Sequence, residues 1–147
     1  MKFQKITPYL WFNNQAKEAA EFYCSIFENS KITSDSGMLI EFELDGTNFI
    51  ALNGGPQYEF NEAVSFYILC DDQKEVDRLW KSLTANGGSE GNCSWCKDKY
   101  GVSWQIVPKR FIEMMKTGTP EQKQRVIGAM MKMKKMIIED FERAFKE

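Results

Sequence analysis

The sequence predicts an α+β protein made of two βαβββ modules, about 1–56 and 62–108, followed by a helical extension over 109–147. Three observations predict it. A strand, an amphipathic helix and further strands occur in that order twice. Glycine-rich breaks punctuate both copies, Asn53-Gly54-Gly55-Pro56 closing the first and Asn86-Gly87-Gly88 ending the helix of the second. After residue 108 the strand-like alternation stops and helical spacing with basic charge takes over.

In the first module, residues 5–12 (KITPYLWF) alternate as a strand, with Ile6, Leu10 and Phe12 on one side and Thr7, Tyr9 and Trp11 on the other. Asn13-Asn14 is a candidate cap for the helix that follows. There Ala16, Ala19, Ala20, Tyr23, Ile26 and Phe27 recur at the three-and-four spacing of a buried stripe. Then come KITSD and the hairpin GMLIEFELDGTNFIALNGG, which turns at Asp45-Gly46.

The second module repeats this pattern. AVSFYILC (63–70) reads as a strand, and Asp72 with Glu75 resembles a capping box. Val76, Leu79, Trp80 and Leu83 form the helical stripe, ended by Asn86-Gly87-Gly88. GNCSWCKD and GVSWQIVP supply further strands. In the extension, Thr119-Pro120-Glu121-Gln122 is a strong helix start, and Val126, Met130, Met133, Ile137 and Phe141 follow at helical spacing.

Composition narrows the function. The chain has 147 residues and no histidine, so nucleophilic catalysis with an imidazole base and His-ligated metal sites are excluded. Residues 1–108 carry 9 Lys/Arg against 15 Asp/Glu, which disfavours a nucleic-acid partner. Residues 109–147 carry 10 against 6, and this Met-rich basic segment is expected to pack on the body or a second subunit rather than on a membrane or a calmodulin-like partner. The N-terminus lacks a signal-peptide pattern, so a cytoplasmic location with free thiols is expected.

Three segments in order, ITPYLWFNNQAKEAAEFYCSIF, FELDGTNFIALNGGP and WCKDKYGVSWQIVP, resemble the PhnB-like family, whose domain label is "3-demethylubiquinone-9 3-methyltransferase". That family lies within the glyoxalase/bleomycin resistance/dioxygenase (vicinal oxygen chelate) superfamily. The resemblance runs over nearly the whole chain, the basic helix included. It implies that residues 1–108 form a single domain whose sheets curl into an open cup, usually as a homodimer. Between Ile32 and Met38 the chain is shorter than typical members.

The resemblance also implies metal-ligand positions, which fall here on Thr7, Ala51, Ser65 and Gln105. None is an acid or an imidazole and Ala51 has no donor, so no metal and no other cofactor is expected. Methyl transfer is not expected either, because no strand leads into a Gly-rich nucleotide loop.

The cup-facing set is then Thr7, Tyr9, Trp11, Phe49, Ala51, Asn53, Ser65, Tyr67 and Gln105, with Trp95 beside it. Aromatic faces with neutral polar tips suit a small-molecule pocket. The leading expectation is a protein that binds a small aromatic or amphipathic molecule through Tyr9, Trp11, Phe49, Asn53, Ser65, Tyr67 and Gln105. The alternative is a metal-independent enzyme, with Glu41 or Glu43 as base and Tyr9 or Tyr67 as acid. Cys93-Ser-Trp-Cys96 has the spacing of a redox or zinc motif. No helix follows it to stabilise a thiolate, so structural thiols on a hairpin strand are expected.

Overall fold

The computed structural model describes residues 3–147. By contacts the chain divides into two compact units, Met1–Glu59 and Phe60–Glu147.

The first unit runs β1 (Tyr9–Phe12), α1 (Ala16–Ile26), β2 (Lys31–Asp35), β3 (Leu39–Leu44) and β4 (Thr47–Asn53). Its sheet order is β1-β4-β3-β2, with β1 parallel to β4 and the other pairs antiparallel. Helix α1 covers one face. Tyr23 stacks on Phe42 and Phe42 on Phe49, and Leu10, Phe12, Ile40 and Ala51 are buried with them. The hairpin turns at Asp45 (φ 47°) and Gly46 (φ 80°), the paired positive angles that match the twist of the flanking strands. Despite the short Ile32–Met38 stretch, β2 and β3 both form and pair across a register shift between Ile32 and Ser34.

Strand β1 is shorter than the sequence predicts. Ile50 N–H donates to the Pro8 carbonyl, but before it the neighbouring strand is already engaged. The Gln4 side-chain amide accepts from Asn48 N–H and donates to Asn48 O, taking both groups that a longer β1 would need. Helix α1 also lacks its expected cap. Asn14 sits at φ 64°, and the Ala16 N–H instead donates to Asn53 Oδ1 at 2.8 Å, from the end of β4.

The second unit repeats the order as β5 (Ser65–Cys70), α2 (Gln73–Thr84), β6 (Ser89–Glu90), β7 (Trp95–Lys97) and β8 (Ser103–Pro108). Its sheet, β5-β8-β7-β6, has the same parallel and antiparallel pairings as the first. The duplication read from the sequence is therefore a repeated topology. Val76, Leu79, Trp80 and Leu83 of α2 are buried, and Phe66 and Trp104 pack ring to ring on the neighbouring strands. Asp72 caps α2 by accepting from Glu75 N–H; the Glu75 carboxylate accepts from Asp71 N–H rather than from the cap residue. Strand β5 starts two residues later than expected, because Ala63 N–H closes a turn on Asn61 Oδ1.

Three helices complete this unit: α3 (Lys109–Thr117), α4 (Pro120–Met130) and α5 (Ile138–Lys146). The Thr119–Gln122 capping box forms as read. The long stripe from Val126 to Phe141 is not one helix, since residues 131–137 leave helical geometry. Their backbone bonds to the body instead. Met133 O and Lys134 O accept from the N–H groups of Cys93 and Ser94, while Met136 O and Ile138 N–H bond the Gln73 side chain. Val107, Met114, Val126, Met133, Met136 and Phe141 are buried together, so the Met-rich segment packs on the body of its own unit.

Candidate functional site

In the first unit, Tyr9 and Trp11 lie on the face away from α1, as alternation predicts. Register places Ile50 beside Tyr9 and Leu52 beside Trp11. Phe49, Ala51 and Asn53 therefore belong to the opposite face, and the expectation that they join Tyr9 and Trp11 fails. Phe49 and Ala51 are buried under α1, and Asn53 is occupied as its cap while its Nδ2 donates to Gly37 O. The difference is one of parity: shifting the β4 alternation by one residue moves every side chain to the other face.

Trp11 has a structural occupation. Its Nε1–H donates to Gly55 O at 2.9 Å, its ring meets Tyr58 edge-on at 5.0 Å, and a Cβ on Gly54 would sit 2.3 Å from that ring. Gly54 is needed for this close approach. Thr7 lies ahead of β1, where its hydroxyl accepts from Gln4 Nε2. Glu41 and Glu43 do point away from α1, opposite Ile50 and Asn48 respectively. Tyr9 and Glu41 share one cross-strand row with Ile50 between them, two strand spacings or roughly 10 Å apart. They form no acid–base pair by direct contact.

In the second unit, Ser65, Tyr67 and Gln105 share the face away from α2, and Gln105 Nε2 donates to Ser65 Oγ at 2.8 Å. Tyr67 is half exposed, and partial burial raises its hydroxyl pKa. Register adds Trp95 opposite Gln105 and Lys97 opposite Ser103. A pocket of about 220 Å³ opens here, lined by Glu62, Ser89, Glu90, Gly91, Trp95, Cys96, Lys97 and Ser103. Of these the sequence sets only Trp95 beside the expected pocket, while Cys96 reads as a structural thiol.

Charge in the pocket is arranged in two places. Lys97 pairs with Glu62, and the hydrogen-bonded ammonium holds that carboxyl below the usual range. Glu90 Oε2 accepts from Trp80 Nε1–H, which fixes the second carboxylate. Ser103 is 1% exposed, and its Oγ has no hydrogen-bond partner among the described residues. A signal for Ser103 existed in the sequence, as a small polar residue beside Trp104 on a strand that ends in the apolar run Ile106 to Pro108. Without register, nothing tied it to Lys97.

The four positions implied as metal ligands have other surroundings. Ala51 has no donor and faces α1, Thr7 bonds Gln4, and Ser65 and Gln105 bond each other. No cluster of three or more Cys, Asp or Glu suited to a metal occurs among the described residues.

The CSWC stretch is not a redox centre of the thioredoxin kind. Cys93 precedes β7 in a left-handed turn (φ 55°, then 81° at Ser94) instead of lying on a strand, and Cys96 lies on β7, buried on the α2 side. Burial pushes the Cys96 thiol up to about 12, with Asp98 and Glu90 adding to it. That is opposite to the activation a catalytic thiolate needs. The turn has a different use: its successive N–H groups hold the chain between α4 and α5.

Two four-stranded βαβββ sheets with these pairings define the glyoxalase/bleomycin resistance fold class. A glyoxalase/bleomycin resistance protein from Albidiferax ferrireducens superposes at a TM-score of 0.53, with 11% identity over 71% of this chain and 98% of its own. The fosfomycin resistance protein FosX from Listeria monocytogenes superposes at 0.51, with 16% identity over 73% and 91%. At those identities the likeness is one of fold. A PhnB protein from Bacillus cereus, carrying the 3-demethylubiquinone-9 3-methyltransferase label, is 31% identical over 71% of this chain and 99% of its own, at a TM-score of 0.65. The profile of that family matches residues 4–107, and the chain belongs to the 3-demethylubiquinone-9 3-methyltransferase (PhnB-like) family. The match stops short of α3–α5, so it does not extend over the basic segment as the sequence reading expected. No curated protein matches. No helix among the described residues is long and apolar enough to cross a membrane.

Proposed function

We propose that this protein binds a small molecule on the second unit's sheet, in the pocket over β7 and β8. The buried, unpartnered hydroxyl of Ser103 carries this reading. A polar group withdrawn from water without a partner costs about 1–3 kcal/mol, and a bound ligand that accepts or donates there recovers it. The Trp95 indole supplies a flat wall, and the Gln105–Ser65 pair and Tyr67 extend the polar face. At about 220 Å³ the pocket is below the roughly 300–1,000 Å³ of drug-sized sites, which favours a compact metabolite.

Methyl transfer finds no support in the residues. Strand β1 leads into Asn13-Asn14-Gln15 and β5 into Asp71-Asp72, so neither strand–helix junction offers the glycines that let a backbone approach a nucleotide. The homodimer implied by the resemblance is part of the proposal, and sedimentation equilibrium tests it separately.

The test is a thermal-shift screen of compact metabolites on the wild-type protein and on Ser103→Val and Trp95→Ala. A compound that raises the wild-type Tm, and does so far less in both variants, is the expected result. A stabilising compound indifferent to both substitutions would place binding elsewhere.

A further inference from the structure

We infer that the ligand is a small zwitterion of the α-amino-acid type; this rests on the pocket proposed above. Among the described residues the pocket lining carries one cation, Lys97, and two carboxylates, Glu62 and Glu90. An anion alone would have to displace Glu62 from Lys97 and leave that carboxylate without its ammonium. A cation alone would displace Lys97 and leave that ammonium without its carboxylate. A ligand bearing both charges exchanges one ion pair for two.

The placement of the groups fits such an exchange. Lys97 and Ser103 are cross-strand partners on one face of β7 and β8, with side chains about 5 Å apart at their Cβ atoms. An ammonium beside a hydroxyl donor is a carboxylate-recognising pair, and the hydroxyl is the one that lacks a partner. Glu90, paired with Cys96 and bonded by Trp80 Nε1–H, keeps its carboxylate on the α2 side of β6, so the ligand ammonium is met by Glu62. Glu62 is the mobile half of the exchange. Its side chain is 61% exposed, in the turn before β5, so separating it from Lys97 costs little in water. Trp95, two residues from Lys97 on the same face, receives the ligand's side chain.

The test is calorimetric titration of the full chain with the free amino acids, their N-acetyl derivatives, the corresponding decarboxylated amines, and neutral compounds of the same side chains. At least one free amino acid should bind. Acetylating its amine and removing its carboxylate should each weaken binding tenfold or more. Lys97→Met should abolish the carboxylate preference, Glu62→Gln should reduce the amine preference, and Ser103→Ala should weaken binding several-fold with an unchanged circular dichroism spectrum. An N-acetyl derivative or an amine that binds as tightly as its parent amino acid overturns the zwitterion. So does binding of none of the free amino acids. If in that case a neutral or singly charged compound binds and depends on Trp95 and Ser103, the pocket stands without this ligand class. If nothing in the four sets binds, the pocket falls with it.

Discussion

The indole N–H of Trp104 donates to the carboxylate of Asp98 at 2.9 Å, and both residues are 2% exposed. The other oxygen of Asp98 accepts from the N–H groups of Tyr100 and Val102, so one buried side chain fixes both the β7–β8 turn and a buried indole of the second sheet. Asp98→Ala should lose about 3 kcal/mol or more in urea unfolding, since it strands several buried donors. Asp98→Asn turns an amide N–H₂ toward the indole and should lose less. Trp104→Phe on the Asp98→Asn background should then be less damaging than on the wild type. Additive losses would mean that the two side chains are not energetically coupled.

A second junction joins sheet to helix in the first unit. Asn53 accepts from Ala16 N–H at the start of α1 and donates to Gly37 O at 3.0 Å, which ties the β2–β3 turn to the same point. Asn53→Ala should cost about 1–2 kcal/mol, as a lost helix cap does. Asn53→Asp keeps the acceptor and adds a charge favourable at a helix N-terminus, so most of that loss should be absent. Equal destabilisation by the two substitutions would show that the Gly37 bond, not the cap, is what matters.

These two residues mark where sequence reasoning worked and where it stopped. Helical stripes such as Val76–Leu79–Trp80–Leu83, the Asp45-Gly46 turn and the Thr119 capping box depend on neighbours a few residues away, so the chain spells them out. Asn53 reads as a polar strand residue; its work as a cap for Ala16 becomes visible only when β4 lies parallel to β1. The parity of β4 was misjudged for the same reason, since Phe49–Ala51 and Ile50–Leu52 are both apolar and register alone tells them apart. In the pocket, Lys97 and Ser103 are cross-strand partners rather than sequence neighbours, and Glu62 arrives from ahead of β5. The break between α4 and α5 was hidden because long-range backbone bonds to Cys93, Ser94 and Gln73 override a good local helical stripe.

The four free thiols should separate by reactivity. Cys93, part-exposed in its turn, should label first with a disulfide reagent near pH 8. Cys24 is only part-buried but its thiol is raised by burial, so it should follow more slowly. Cys70 and Cys96 are buried with thiols pushed up to about 12, and should react only on unfolding. Their raised values also set a pH dependence. The native protein keeps these protons more tightly than the unfolded chain does, so their contribution is fully present below about pH 9 and declines as pH rises toward 12. Cys70→Ala with Cys96→Ala should flatten that alkaline decline in unfolding midpoints. Rapid native-state labelling of Cys96 would contradict the structural role assigned to it.

Gln73 should decide how firmly α5 is attached. From the first turn of α2, its Nε2 donates to Met136 O at 3.0 Å and its Oε1 accepts from Ile138 N–H at 2.7 Å. That amide bridges the end of the nonhelical stretch and the first residue of α5, and few residue types present a donor and an acceptor in this way. Gln73→Ala should raise hydrogen exchange across residues 135–146 by tenfold or more while leaving β7 and β8 largely protected. Gln73→Glu keeps the acceptor for Ile138 but sets a carboxylate against the Met136 carbonyl, so it should fall between wild type and alanine, and closer to alanine. The Cys93 and Ser94 N–H bonds to Met133 and Lys134 remain in both variants. Loosening should therefore begin C-terminal to Lys134. Uniform loosening from Pro120 onward would instead make α4 and α5 one cooperative unit in which the amide plays no particular part.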